Sequence, residues 1–311
     1  MSDDWRMGMI RKQKFLSLSA AAICNIIWGF SFLASRAALN SAPVYVLLSH
    51  RFLLAFAIML LLCLTGTARC DLRGKPLGKV LLLGILEPVI YFIGEQNGLL
   101  HSNTIFSGVM ISLIPVAATL AAVPVLGERP PLRQLAFSIL SVSGVIGMGL
   151  LSKSSGSLDW IGVLCLLIAV FSAVGYTLLS RTIAAQYTAF ERTLVMMGIS
   201  ALVFTVMALV TVHGDMAEYC RPLSVGSYRL PLLYLGICCS IVSFFLSGYA
   251  LTTLPVAMMT VFSNLTTAVS VFAGAVILHE PFSPLGLLFC ALILLGIYGV
   301  QRSGNKKEEQ T

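Results

Sequence analysis

Residues 81–98 read LLLGILEPVIYFIGEQNG, an apolar stretch that nevertheless carries Glu87 and Glu95, with Tyr91 midway between them. At 3.6 residues per turn these three side chains share one helical face, with Gly84 and Gly94 near its edges. A carboxylate turned towards lipid at mid-bilayer costs roughly 2.5–3.5 kcal/mol, so the face is expected to look at protein, water or a bound solute. Pro88 lies inside the stretch and predicts a kink, because proline removes one backbone donor and crowds the preceding turn.

The surroundings explain why such a face exists. Of 311 residues, 58% are hydrophobic and only 11% charged. The apolar residues gather into runs of about 20, the length that crosses a hydrocarbon layer of roughly 30 Å. The fold class expected is an all-α membrane protein with ten transmembrane helices. Hydropathy places them at 15–37, 43–64, 77–99, 102–126, 132–152, 158–180, 190–212, 230–252, 255–278 and 283–301. The net charge of +7 would suggest nucleic acid in a soluble chain. Here the basic residues sit in short loops, where they set orientation, so no nucleic acid partner is expected. Arg69, Arg73, Lys75 and Lys79 fall on the side of the termini, with most other basic residues. Only Arg36, Lys153, Arg221 and Arg229 fall on the other. Both termini are therefore expected in the cytoplasm, and the lipid bilayer of a bacterial cytoplasmic membrane is the expected setting. The run beginning near Phe15 is too long for a signal-peptide core and reads as a retained span. No CxxC or Cys/His ligand spacing occurs among the eight cysteines, so neither disulfide, metal nor cofactor is expected. A monomer is expected.

Sliding the chain on itself by 152 positions pairs Gly84 with Gly236, Phe92 with Phe244, Glu128 with Glu280, Phe137 with Phe289, Gly144 with Gly296 and Gly147 with Gly299. Apart from that offset, WGFSFLASR (28–36) resembles VGYTLLSR (174–181), with one residue of slippage inside the segment. The predicted organisation is a tail at 1–14, a five-helix repeat at 15–152, a polar linker at 153–157, a second five-helix repeat at 158–301 and a tail at 302–311. Five spans is an odd number, so the second repeat must run inverted, an architecture that places a solute site near the midplane between the halves.

Several motifs carry a family resemblance: the Trp28–Gly29 pair in the first span, SHRF at 49–52, the Pro115 span ending in LGERP at 126–130, and the echo LHEP at 278–281. Together with the two five-helix halves they resemble the EamA branch of the drug/metabolite transporter superfamily over nearly the whole chain. The resemblance implies a ten-helix carrier of small metabolites, often amino acids and often moved outward. It also implies a cavity lined by spans one, three, four, six, eight and nine. It favours a peripheral packing role for Arg51.

The repeat maps positions 87, 91 and 95 onto Cys239, Ser243 and Ser247, and the fourth and ninth spans carry Ser112 and Thr119, and Thr260, Asn264 and Thr267. These hydroxyls either bond their own backbone or line a common cavity. The expected substrate-binding set is Asn25, Trp28, Glu87, Tyr91, Glu95, Ser112, Tyr176, Ser243 and Asn264. Trp28, Tyr91 and Tyr176 serve either as packing or as π-faces for a ring or an ammonium group. Arg51, in the outer part of the second span, is expected to form a structural ion pair with Glu95, the carboxylate nearer that face, and Glu87 is the other possible partner. One arginine cannot neutralise two carboxylates. Withdrawal from water favours the protonated acid, which makes the deeper Glu87 the coupling candidate. Glu128 and Glu280 read as helix caps, and the four paired glycines 144, 147, 296 and 299 as close packing between spans five and ten. The segment 213–229 reads as a connection, with a short surface lid as the alternative.

No P-loop, HExxH or catalytic triad is present, and the sequon at Asn264 lies inside a predicted span. The function expected is secondary transport of a small amino acid-like or amine metabolite by alternating access, as export or exchange, with proton coupling through Glu87. The rival readings are an integral-membrane enzyme, using Glu87, Glu95 and His50 as acid-base groups, and a channel.

Overall fold

The computed structural model describes residues 3–68, 70–114, 116–117, 121, 131–154, 159–183, 186–251, 256–279 and 284–308. Among them every regular element is helical. The principal helices are α1 (Asp3–Leu39), α2 (Val44–Leu64), α3 (Leu77–Gly84), α4 (Tyr91–Leu100), α5 (Thr104–Ile111), α6 (Leu132–Ser154), α7 (Trp160–Ile183), α8 (Ala189–Thr211), α9 (Met216–Cys220), α10 (Gly226–Leu233), α11 (Ser243–Leu251), α12 (Val256–Phe272) and α13 (Pro284–Glu308). Six helical segments among the described residues are long and apolar enough to cross a membrane: Phe15–Leu39, Val44–Leu64, Leu77–Leu100, Trp160–Ser180, Ala189–Thr211 and Gly226–Ser247. The chain is a multi-pass helical membrane protein. Helix α1 starts twelve residues before its apolar part, so the basic segment before Phe15 continues the same helix. Pro115, Thr119, Glu128 and Glu280, singled out above, lie outside the described residues.

The path from α3 to α4 breaks at Glu87, whose backbone is extended (φ −138°, ψ 118°). Proline accounts for this: its ring disfavours the helical conformation in the residue before it, and it has no N–H to offer the turn. A second interruption occupies Tyr234–Val242, between α10 and α11, at the positions 152 residues further on. The turns are wide there, and Ser240 Oγ donates to the carbonyl of Leu235 at 2.9 Å.

Helix association in lipid rests on close packing rather than on the hydrophobic effect, and small residues permit it. Helix α4 lies on α7 so closely that a Cβ at Gly94 would stand 2.5 Å from the Cys165 carbonyl oxygen. Helices α6 and α13 pack along their length. A Cβ at Gly144 would meet Ile293 and one at Gly296 would meet Ser141, while Gly147 faces Phe289 and Gly299 faces Phe137. The close packing expected of these four glycines is thus present. Helices α2 and α8 pack with Phe52 stacked on Phe204, ring centroids 5.4 Å apart. Helix α1 runs against α11 and α12. The apolar core, including Leu48, Phe52, Leu99, Met110 and Phe204, fills the space between these pairs.

The 213–229 connection is folded. Asp215 caps α9 by accepting from the Ala217 and Glu218 amides at 2.8 and 3.3 Å. Tyr219 and Tyr228 are buried against α2, where Tyr219 hydrogen-bonds Ser49 at 2.7 Å and Tyr228 hydrogen-bonds His50 Nδ1 at 2.9 Å. The reading of this segment as a plain connection is therefore corrected: two tyrosines pin it down. At the far end of α2, Glu191 accepts from Lys75 Nζ at 2.6 Å and from the Asp71 amide at 3.0 Å, tying the loop after α2 to the start of α8. Thr188 and Glu191 also close a reciprocal cap on α8.

Candidate functional site

The broken helix opens onto a cavity of about 310 Å³. Helix α1 contributes Asn25, Trp28, Ser31 and Phe32, α2 contributes Arg51, and Glu87, Tyr91, Phe92 and Glu95 come from the break and α4. Ile111, Ser112 and Ile114 stand at the end of α5. Ala173, Tyr176 and Thr177 come from α7, Phe244 and Ser247 from α11, and Ser263, Thr266 and Thr267 from α12. Seven of the nine expected binding residues are brought together: Asn25, Trp28, Glu87, Tyr91, Glu95, Ser112 and Tyr176.

One of the remaining two, Ser243, is not. Ser243 is fully buried and does not line the cavity, whereas Ser247, one turn on, does. Four residues advance a helix by about 40° past a full turn, and the wide turns before α11 rotate that helix relative to the uninterrupted stripe drawn from Cys239. Cys239 is likewise buried, and its carbonyl accepts the Trp28 indole N–H at 3.2 Å. The Asn264 side chain lies outside the described residues, as does that of Thr260.

The two carboxylates are held very differently. Glu95 is 5% exposed, and both its oxygens are engaged: Tyr91 OH donates to Oε1 at 2.9 Å and Gln96 Nε2 to Oε2 at 2.8 Å. Glu87 is half-buried and takes no hydrogen bond from a described residue. Its extended backbone turns it into the cavity, while Ser172 Oγ donates to the neighbouring Leu86 carbonyl at 2.6 Å. The break therefore frees a carboxyl group without leaving that backbone carbonyl unpaired.

The expected Arg51–Glu95 ion pair is not made. The ion pairs among the described residues are Lys75–Glu191 and His101–Asp159. Arg51 Nε donates to Ser240 Oγ at 2.9 Å, and its guanidinium carbon stands 4.3 Å from the Phe92 ring centroid. Tyr91 and Gln96 satisfy Glu95 in its place, both from its own helix.

Trp28 stands edge-on to Phe244, centroids 5.7 Å apart, and its N–H is taken by the protein, so it offers the cavity a ring rather than a donor. Asn25 is similarly committed, donating to the Ala21 carbonyl at 2.8 Å and accepting from Thr266 Oγ1 at 3.0 Å. Ser31, Thr177, Phe244 and Thr266 line the cavity without having been expected to. The first three carried a readable signal: Ser31 and Thr177 are equivalent in the aligned WGFS and VGYT segments, and Phe244 is the repeat partner of Phe92.

A membrane-embedded cavity, walled by several helices and furnished with a carboxyl group that no described residue hydrogen-bonds, is the equipment of a solute transporter. The comparisons agree with that class. The EamA-like transporter family model matches residues 15–150 and again 160–302, and the chain belongs to this family. The uncharacterized transporter YcxC of Bacillus subtilis (strain 168) is 31% identical over 307 residues, covering 97% of this chain and 98% of the relative. A probable terminal-alkyne amino-acid exporter of Streptantibioticus cattleyicolor is 25% identical over 296 residues, 94% and 96% of the two chains. A solved crystal structure shares the fold with a TM-score of 0.65 at 18% identity, covering 96% of this chain and 99% of that one.

Proposed function

We propose that the protein is a ten-span secondary carrier of the cell membrane, moving a small amino acid-like or amine metabolite by alternating access, as export or exchange. Residues 15–152 and 158–301 form two inverted five-helix repeats joined at 153–157, with both termini cytoplasmic and the chain a monomer. The observation that carries this reading is the cavity itself, walled by α1, α2, α4, α5, α7, α11, α12 and the break, with the carboxyl group of Glu87 taking no hydrogen bond from a described residue. Support for the two-repeat division comes from the two family matches of similar length and from the reciprocal contacts of Gly144 with Ile293 and of Gly296 with Ser141, related by the 152-residue offset. The two interrupted helices, at Glu87 and at Tyr234–Val242, fit the broken helices that carriers use at their midplane sites. The amino acid-exporter name of the Streptantibioticus relative favours that cargo class and direction.

Glu87 is the coupling residue: it exchanges a proton for the cargo's cationic group within each cycle. A thermal-shift screen of the purified chain against amino acids, amines, nucleosides and sugars tests the cargo class, because a ligand that binds only the native state raises its melting temperature. Counterflow of the best ligand in proteoliposomes then tests transport. Saturable counterflow is expected, and unsaturable flux would favour a channel.

A further inference from the structure

We infer that Arg51 is a cargo-binding residue, the receptor for a carboxylate on the transported molecule. The inference rests on the carrier reading and deepens it, since it requires a cargo with an anionic end as well as whatever meets Glu87.

Arg51 is 3% exposed, yet it lines the cavity. One guanidinium nitrogen, Nε, is anchored on Ser240 Oγ, and the planar group lies over Phe92 with Phe52 at 5.3 Å. Its two terminal nitrogens take no hydrogen bond and close no ion pair among the described residues. Burying a guanidinium with two donor nitrogens lacking acceptors is costly, and a helix tether alone would be served by a neutral donor. Glu95 is near enough for its charge to favour the guanidinium but closes no ion pair with it, its oxygens taking Tyr91 and Gln96 instead. What remains is a rigidly held fork of N–H donors facing a cavity large enough for an amino acid. That geometry matches the two oxygens of a carboxylate. The aromatic rings beneath it fix its plane, and the Ser240 anchor fixes its direction. Glu87, unpaired among the described residues in the same cavity, is the complementary group for an ammonium. A simple amine would satisfy Glu87 and leave the terminal nitrogens of Arg51 without an acceptor, whereas a zwitterion satisfies both.

The test compares each of the standard amino acids with its decarboxylated amine, such as phenylalanine with phenethylamine, by thermal shift and calorimetry on the full chain in detergent. For the best ligand the amino acid is expected to bind roughly tenfold or more tighter than its amine, the share of a charge-assisted hydrogen-bonded contact. Arg51→Gln is expected to bring that ratio close to one, and Arg51→Lys to restore part of it. A structural role would weaken both ligands alike in Arg51→Gln and leave the ratio intact, which would overturn the inference. So would a wild-type protein that binds the amine as tightly as the acid, or that binds no carboxylate-bearing compound. The wild-type ratio decides if the variants do not fold. Counterflow separates the two levels: saturable transport of a cargo lacking a carboxylate overturns the role of Arg51 and leaves the carrier standing. Intact selectivity without counterflow does the reverse.

Discussion

Replacing Glu87 by glutamine isolates the chemistry of the break from its architecture. The native carboxyl group takes no hydrogen bond from a described residue, so the amide, nearly the same size, loses no partner in the fold. Stability is expected to stay within about 0.5 kcal/mol of wild type, the range of substitutions that break nothing. The extended backbone at 87 comes from Pro88, which is untouched. What the variant loses is charge. If Glu87 meets the cationic group of the cargo, a charge-assisted hydrogen bond of about 1.5–3 kcal/mol is weakened or lost, and the affinity falls by roughly ten- to a hundredfold. If it also carries the coupling proton, transport becomes insensitive to an imposed pH gradient. Glu95→Gln makes the contrast. Its carboxylate accepts from both Tyr91 and Gln96, and an amide has a single acceptor for them, which leaves a buried donor unsatisfied at a cost of about 1–3 kcal/mol. The assays are the melting temperature of the purified variants and uptake into proteoliposomes at several imposed pH gradients. The reasoning fails if Glu87→Gln keeps wild-type affinity and pH response while folding normally. It fails equally if Glu87→Gln is destabilised as much as Glu95→Gln.

Other expectations follow from packing. Gly94→Val drives side-chain atoms into the Cys165 carbonyl and Ala169 of α7, where nothing flexible can yield. The variant should lose about 1–3 kcal/mol and show reduced melting temperature and expression. Glu191→Ala removes the reciprocal cap on α8 and releases Lys75 and the Asp71 amide, a loss of about 1–2 kcal/mol that should also increase proteolysis of the 65–76 loop. Tyr228→Phe takes the hydroxyl from His50 Nδ1 while Nε2 already lacks a partner among the described residues, costing about 1–2 kcal/mol. Hydrogen exchange should then rise in the 213–229 segment with little change elsewhere.

Much of this protein was legible before any coordinates. Composition and run length demand a polytopic helical membrane protein, because lipid tolerates no other spanning structure than helices or a closed barrel. The 152-residue offset named the glycines at which α6 and α13 touch, since only small residues let two backbones approach there. Pro88 foretold the break, a local steric effect that needs no tertiary context. The Thr188–Glu191 cap is equally local, four residues in a known pattern. Seven of the nine residues expected to bind solute line one cavity.

The tertiary structure decided which polar groups remain free in that cavity. Sequence spacing puts Glu87 and Glu95 on one face as equals. Their difference arises because Tyr91 and Gln96 donate to the oxygens of Glu95, while Glu87, on extended backbone, takes no hydrogen bond from a described residue. Arg51 reads as an ion-pair partner from its charge alone, but Ser240 and Phe92, distant in the chain, hold it in another orientation. Ser243 fell from the site because the wide turns at Tyr234–Val242 changed the phase of α11. Periodicity is a property of one helix and can be read from its own residues. The pairing of a buried polar group depends on which other helix arrives beside it, and that is settled only when the whole bundle closes.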